Sequence, residues 1–237
     1  MEGFWDNLVQ QFTASFITDN RWQIYLKGLW SSITITIVAL AIGVVLGILV
    51  AIVRTNHDQQ KGHVSGVIKV LNVICKIYTT VIRGTPMMVQ LLIMGFVIFA
   101  NSRNYYMIAV LSLGINSGAY VSEIFRSGIQ SIDPGQMEAG RSLGMTYGTV
   151  MKDIIIPQAV KNILPALGNE MITLFKDTSL VSVIGMSELT KVARDIQAIT
   201  YLPMMPYLGI AALYLVVVMI LTWLQGKLER RLRRSER

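Results

Sequence analysis

Charge is scarce in this 237-residue chain: Asp, Glu, Lys and Arg together make up 15% of it, against 53% hydrophobic residues. Mean hydropathy is +0.53, which excludes an ordinary soluble domain. Cysteine is nearly absent. Cys75 alone cannot form an internal disulfide and reads as a small side chain in an apolar run. A phosphate loop, G-x-x-x-x-G-K-[ST], is missing: the one Gly-Lys pair, Gly226-Lys227, lacks the upstream glycine, so nucleotide must be handled elsewhere. Neither G-x-S-x-G nor H-E-x-x-H occurs, and nothing points to covalent chemistry. His57 and His63 stand in a polar loop without metal-ligand spacing and read as solvated surface.

What is present is membrane. Gly28 to Val53 and Met204 to Gln225 contain no charge, and each exceeds the roughly 20 residues a helix needs to cross about 30 Å of hydrocarbon. Three further spans are readable. Val70 to Ala100 is interrupted by Lys76, Arg83 and "RGTP". Tyr105 to Ser122 is short and polar-flecked, and Ile154 to Phe175 carries Pro157, Lys161, Pro165 and Glu170. The expectation is an all-α integral membrane protein with about five transmembrane helices. Thirteen Met residues suit adaptable apolar packing.

Lys and Arg set the orientation. With the N-terminus outside, thirteen fall on the cytoplasmic side: Arg54, Lys61, Lys69, Arg126, Arg141, Lys152, Lys161 and six in the tail from Lys227 to Arg237. The external pieces hold six: Arg21, Lys27, Arg103, Lys176, Lys191 and Arg194. The asymmetry favours N-out, C-in, and explains the basic tail without nucleic acid. Trp22, Tyr25 and Trp30 form an aromatic anchor at the outer end of the first span. The expected organisation is an external arm over 1–27, one transmembrane domain over 28–225 and a basic cytoplasmic tail over 226–237. The arm begins with acidic residues and does not read as a cleaved signal peptide. Phe4, Trp5, Leu8, Phe12 and Phe16 give it either a helix in the headgroup plane or a loosely ordered strip.

Between the third and fourth spans lies "SIDPGQMEAGRSLGMTYGTVMKDIIIPQAV", Ser131 to Val160. Asp133 is a good N-cap, Pro134 suits the first helical position, and Gln136 falls where a capping box would close. A helix over about 134–144 is expected, stopped by Gly144 in the left-handed conformation. It is too short to cross a bilayer and too polar for lipid. Ala139 and Gly140 give it a flat surface, Met137 and Leu143 apolar knobs, and Glu138 and Arg141 charges. This pattern fits a helix that docks on another protein. Small-xxx-small pairs occur at Gly43/Gly47, Gly114/Gly118 and Gly140/Gly144, of which the first two allow close helix approach.

The same stretch resembles the cytoplasmic motif of ATP-binding-cassette (ABC) importer permeases, E-A-A-x3-G-x9-I-x-L-P. Glu138, Ala139 and Gly140 are followed by Gly144, then Ile154, Ile156 and Pro157, with Gly140 and Ile156 the two departures. "VIRGTPMMVQL", "SGAYVSEIFRSGIQSI" and "IIIPQAVKNILPALGNEMITLFKDTSL" resemble the polar amino acid (His/Glu/Gln/Arg/opine) branch, over roughly Gly28 to Thr190. The resemblance implies a type I importer permease fold in the bacterial cytoplasmic membrane. It implies that Gln136, Met137, Glu138, Ala139, Gly140, Arg141, Ser142, Leu143 and Gly144 seat in a separate ATPase subunit. That ATPase would bind the ATP and Mg, leaving no cofactor in this chain. The other implied partners are an identical or paralogous permease, an external substrate-binding protein and a polar amino acid.

Ionisable groups inside spans are costly and mark candidate binding sites. Arg83, Glu123, Glu170 and Lys176, with Thr85, Asn116, Ser117, Thr178 and Ser179, offer partners for both ends of a zwitterion. Arg83 could instead cap backbone freed near Pro86, and Glu123 with Arg126 could be an interfacial pair. The alternative function is a secondary transporter or channel for a small polar solute, driven by an ion gradient through these carboxylates. That class needs no docking helix, and its larger members usually carry an internal repeat, which this sequence lacks.

Overall fold

The structure is a computed structural model and describes residues 2–59 and 65–234; Lys61, His63 and Arg237 lie outside the described residues. Ten α-helices occur among the described residues: α1 Glu2–Phe12, α2 Trp22–Gln59, α3 Gly66–Gly84, α4 Met87–Ile93, α5 Tyr105–Gln130, α6 Pro134–Ser142, α7 Tyr147–Val150, α8 Ile156–Asp177, α9 Leu189–Thr200 and α10 Met204–Arg234. No strand occurs among them. Single π-helical segments extend α4 over Met94–Ile98 and join α7 to α8 over Met151–Ile155.

Among the described residues, three helical stretches are long and apolar enough to cross a membrane: Trp22–Asp58, Tyr105–Gln130 and Met204–Leu232. A fourth is the pair Gly66–Gly84 and Met87–Ile98, if it is counted as one broken span. The break has a local cause. Pro86 excludes the residue before it from the helical region, and Thr85 is accordingly extended at φ −119°, ψ 144°. The fifth expected span, α8, is helical and about 33 Å long. Its Lys161, Asn162, Asn169 and Glu170 keep it below the same apolarity.

Two elements differ from the sequence reading. The third span does not end at Ser122: α5 continues to Gln130, so Glu123 and Arg126 are helical. The segment taken as an external loop contains α9, whose Leu189, Val192, Ala193 and Ile196 are buried along one face.

The chain divides into two compact units. One comprises 1–39, 87–113 and 172–222; the other comprises 40–86, 114–171 and 223–237. In the first, the apolar face of α9 packs with Tyr25 and Ile210, bordered by Phe16, Leu29, Leu213 and Tyr214. Leu189, Val192 and Ile196 each contribute about 1.5–3 kcal/mol there relative to exposure to water.

The second unit is built on close helix approach. A Cβ on Gly43 would lie 2.8 Å from Ser117 Cβ, and one on Gly47 only 2.5 Å from Val121 Cγ1. Both glycines of the first small-xxx-small pair therefore let α2 reach α5. Gly118 lies against Leu46 and Tyr78, whose hydroxyl donates to the Ile115 carbonyl at 2.5 Å.

Candidate functional site

Helix α6 is defined at both ends by its own side chains and turns. Asp133 caps it, its carboxylate accepting from the Gly135 N–H at 2.8 Å, with Pro134 in the first turn. Gln136 is exposed, and among the described residues its side chain makes no reciprocal bond to Asp133; the cap is one-sided. At the other end, Gly144 sits at φ +83°, its N–H donating to Arg141 O at 3.0 Å, while Met145 N–H donates to Gly140 O at 3.2 Å. That pair of bonds is a Schellman stop and fixes where the helix ends. The Arg141 guanidinium adds a bond to Met145 O at 3.0 Å.

The two sides of α6 differ. Glu138, Ala139, Arg141, Ser142 and Leu143 are exposed, Leu143 by 82%, and Met137 is half-buried. Gly140 corrects the sequence reading, which placed it on the docking surface. It is buried, and a Cβ there would lie 2.7 Å from Val150 Cγ2 and 3.1 Å from Val150 Cγ1. Its small size serves the contact between α6 and α7.

A second feature gathers around Glu123. Arg54 donates to Glu123 Oε1, and Arg126 donates through Nε and Nη2 to Oε2 at 2.9 and 2.8 Å. Arg83 stands 4.0 Å from Oε1 and lies over the Tyr120 ring, 5.3 Å from its centroid. Arg83 is the most exposed of these charges, at 44% of its side chain against 19% for Glu123. One carboxylate thus faces three guanidinium groups. Farther along α5, Ser117 donates to Glu170 Oε1 on α8 at 2.8 Å, and Asn116 beside it is buried.

Arg83, Thr85, Asn116, Ser117, Glu123 and Glu170 all belong to the second unit. The Thr85 hydroxyl donates to Val81 O at 2.8 Å, closing the end of α3. Lys176, Thr178 and Ser179 belong to the first. Lys176 is exposed, whereas Thr178 is fully buried and its hydroxyl donates to Phe175 O at 2.7 Å, so in this conformation it has no surface to offer a solute.

Sequence reasoning missed three participants. Arg54 reads as one more charge after a span, and its bond to a residue 69 positions away has no local signature. Tyr120 gave no signal. Glu188 is fully buried and caps α9, accepting from Thr190 N–H at 2.7 Å and Lys191 N–H at 2.8 Å, with Tyr214 OH donating at 3.2 Å. Burial raises the Glu188 carboxyl above its ordinary range against the opposing pull of these donors. Glu is not one of the preferred N-cap residues, so the sequence carried no signal for that cap. Among the described residues no group of three His, Cys, Asp or Glu could hold a metal ion.

Residues 65–234 match the family described as "Binding-protein-dependent transport system inner membrane component". The chain is 38% identical over 214 residues to the arginine transport system permease protein ArtQ of Bacillus subtilis (strain 168), covering 89% of this chain and 93% of the relative. It is 34% identical over 214 residues to the glutamine transport system permease protein GlnP of Escherichia coli (strain K12), with the same coverage. Among solved structures, the crystal structure of an amino acid ABC transporter with histidines has a chain 42% identical to this one. That match has a TM-score of 0.82 and covers 91% of this chain and 98% of the other. The fold is that of a type I ABC importer permease, an all-helical membrane subunit whose family leaves ATP hydrolysis to a separate protein. The chain belongs to the inner-membrane permease components of binding-protein-dependent ABC transport systems.

Proposed function

We propose that this chain, paired with an identical or paralogous permease, imports a polar amino acid across the cytoplasmic membrane by alternating access. An external binding protein would deliver the solute, and ATPase subunits carrying the ATP and Mg would drive the cycle. The orientation is N-out, C-in, as the Lys and Arg asymmetry requires, with α6 in the cytoplasm. The observation that carries this reading is α6 itself. It is a short helix capped at Asp133, stopped at Gly144 and bearing an exposed Leu143, and Glu138 to Pro157 fit the importer motif. A surface loop needs neither a cap nor a stop, whereas a lever does. Gln136 to Leu143, without Gly140, form the seat, with Gly144 fixing where it ends.

The substrate class follows from relatives named for arginine and glutamine transport. Buried Asn116 and Ser117 with half-buried Glu170 offer acceptors for an ammonium, and Arg83 beside Tyr120 offers a cation for a carboxylate. Thr85, Glu123, Lys176 and Ser179 are secondary candidates. Reconstitution of the chain with its ATPase and binding protein tests the proposal through ATP-dependent uptake of an amino acid panel. Glu138→Lys should separate ATP hydrolysis from uptake while the protein still inserts. Uptake that persists without the ATPase, driven by a proton or sodium gradient, would make the chain a secondary transporter.

A further inference from the structure

The second unit contains a cavity of about 310 Å³ that the transport reading does not use. On α2 it is lined by Ile48, Ala51 and Ile52, then by Thr55 and Asn56. Phe125 and Ile129 of α5 close one wall; Tyr147, Met151 and the start of α8 close another. Its volume is about ten times the ~30 Å³ share of one water, yet the walls are almost wholly apolar, so water is a poor occupant. It is open at a rim where Ile52 is 52% and Ile156 44% exposed.

Two observations give the occupant its chemistry. First, the lining changes character along α2. The charge-free run ends at Val53, so Ile48 to Ile52 lie in the hydrocarbon part of the span, while Thr55 and Asn56 lie beyond it. Ile48 and Asn56 are about 12 Å apart along the helix. Second, the Thr55 hydroxyl oxygen is buried without a hydrogen-bond partner. A buried hydroxyl normally finds one. An apolar slot with an unsatisfied donor at its polar end fits a molecule with a hydrocarbon tail and an oxygen-bearing neck.

We propose that this cavity is a binding site for one membrane phospholipid, with an acyl chain between α2, α5 and α8 and a glycerol ester or phosphate oxygen taken by the Thr55 hydroxyl once it turns from its buried rotamer into the cavity. Because Tyr147 and Met151 line it, the lipid also braces the segment joining α6 to α8.

The test uses the full chain in nanodiscs containing a phospholipid with a photoactivatable acyl chain, with labelled residues mapped by mass spectrometry. Ile48 and Phe125 should be labelled at least as strongly as Val45, an α2 residue that is 60% exposed. Val160→Trp, at the rim, should cut labelling of Ile48 and Phe125 about tenfold, since the indole takes up space that the tail would occupy. Val45 labelling should not change. Native mass spectrometry of detergent-purified chain should show one retained phospholipid. Thr55→Val should lower that retention about fivefold, the worth of one hydrogen bond. Labelling of Ile48 that is weaker than that of Val45, or indifferent to Val160→Trp, would overturn the proposal. So would equal or better retention by Thr55→Val.

Discussion

Gly140 stands where the importer motif has its second alanine, and restoring that alanine should weaken this chain. In Gly140→Ala the new methyl would sit 2.7 Å from Val150 Cγ2, about 1 Å inside ordinary carbon contact. Val150 is fully buried and β-branched, so it cannot swing aside, and α6 must lift from α7. Overpacking of this kind costs about 1–3 kcal/mol. Against it, alanine in a helix gains about 0.5–1 kcal/mol over glycine. The central balance is a local destabilisation of about 1 kcal/mol, with about 2.5 kcal/mol as its upper end, and 1 kcal/mol multiplies the open population about fivefold.

Hydrogen exchange of the α6 and α7 amides reads that change directly, because their opening frequency should rise by the same factor. If α6 seats the ATPase as proposed, ATP-driven uptake by the reconstituted transporter should fall with it, since a lifted α6 presents Leu143 and Glu138 out of register. Val150→Ala removes both contacting methyl groups, so the double variant should recover most of the protection. The coupling measured in that cycle should approach 1 kcal/mol, as expected for residues in contact. If Gly140→Ala instead slows exchange, or if the double variant behaves as the sum of the singles, Gly140 does not mediate the α6–α7 contact.

Four other perturbations probe further features of the two units. Gly144→Ala places a side chain at φ +83° and should cost about 1–2 kcal/mol, read as earlier unfolding of α6 in the same exchange experiment. Gly47→Ala puts a methyl 2.5 Å from Val121 Cγ1 and 2.9 Å from Ser122 N; it should lower the stability of the detergent-solubilised chain by about 1–3 kcal/mol. Gly148→Ala, with open space around it, should not. Glu188 predicts a pH effect. Burial raises its pKa above the ordinary 4.5, so the folded state holds the proton more tightly than the unfolded chain. The stabilisation from that proton is complete below pH 4.5 and is lost as pH rises through the raised value. Protection of the α9 amides should therefore increase on acidification through that window, and Glu188→Gln should remove the dependence.

The ends of α6 were legible because caps are local: Asp133, Pro134 and Gly144 act within a turn of their own positions. The approach of α2 to α5 was legible at Gly43 and Gly47 because small residues four apart have one common use in membrane helices. Which face of α6 turns inward was not legible. In a nine-residue helix Ala139 and Gly140 are equally small, and only Val150 settles that Gly140 is the buried one. Helix α9 was hidden for another reason. Its apolar positions recur at helical spacing, but Lys191, Arg194 and Asp195 between them make the segment read as a charged loop. The Arg54–Glu123 bond is a contact between distant positions, and neither composition nor periodicity encodes such a partner.

The second unit also shows how a force on α6 could reach a buried polar group without crossing a slack loop. Gly140 rests on Val150 at the end of α7, and α7 runs through the Met151–Ile155 turn into α8 without leaving helical conformation. Glu170 lies fourteen residues into α8, about 21 Å along its axis, and holds Ser117 of α5 at 2.8 Å. The weakest point on this route is Pro165, which removes one ladder bond from α8. There the Gln225 amide of α10 donates to Pro165 O at 3.2 Å and to Asn169 Oδ1 at 3.0 Å. A Cβ on Gly168 would come within 3.1 Å of Gln225 Cγ, so glycine at that position lets α10 brace α8 where the proline weakens it. A displaced α6 therefore moves the base of a braced rod rather than the end of a tether, which is the mechanical condition that the proposed coupling to an ATPase requires.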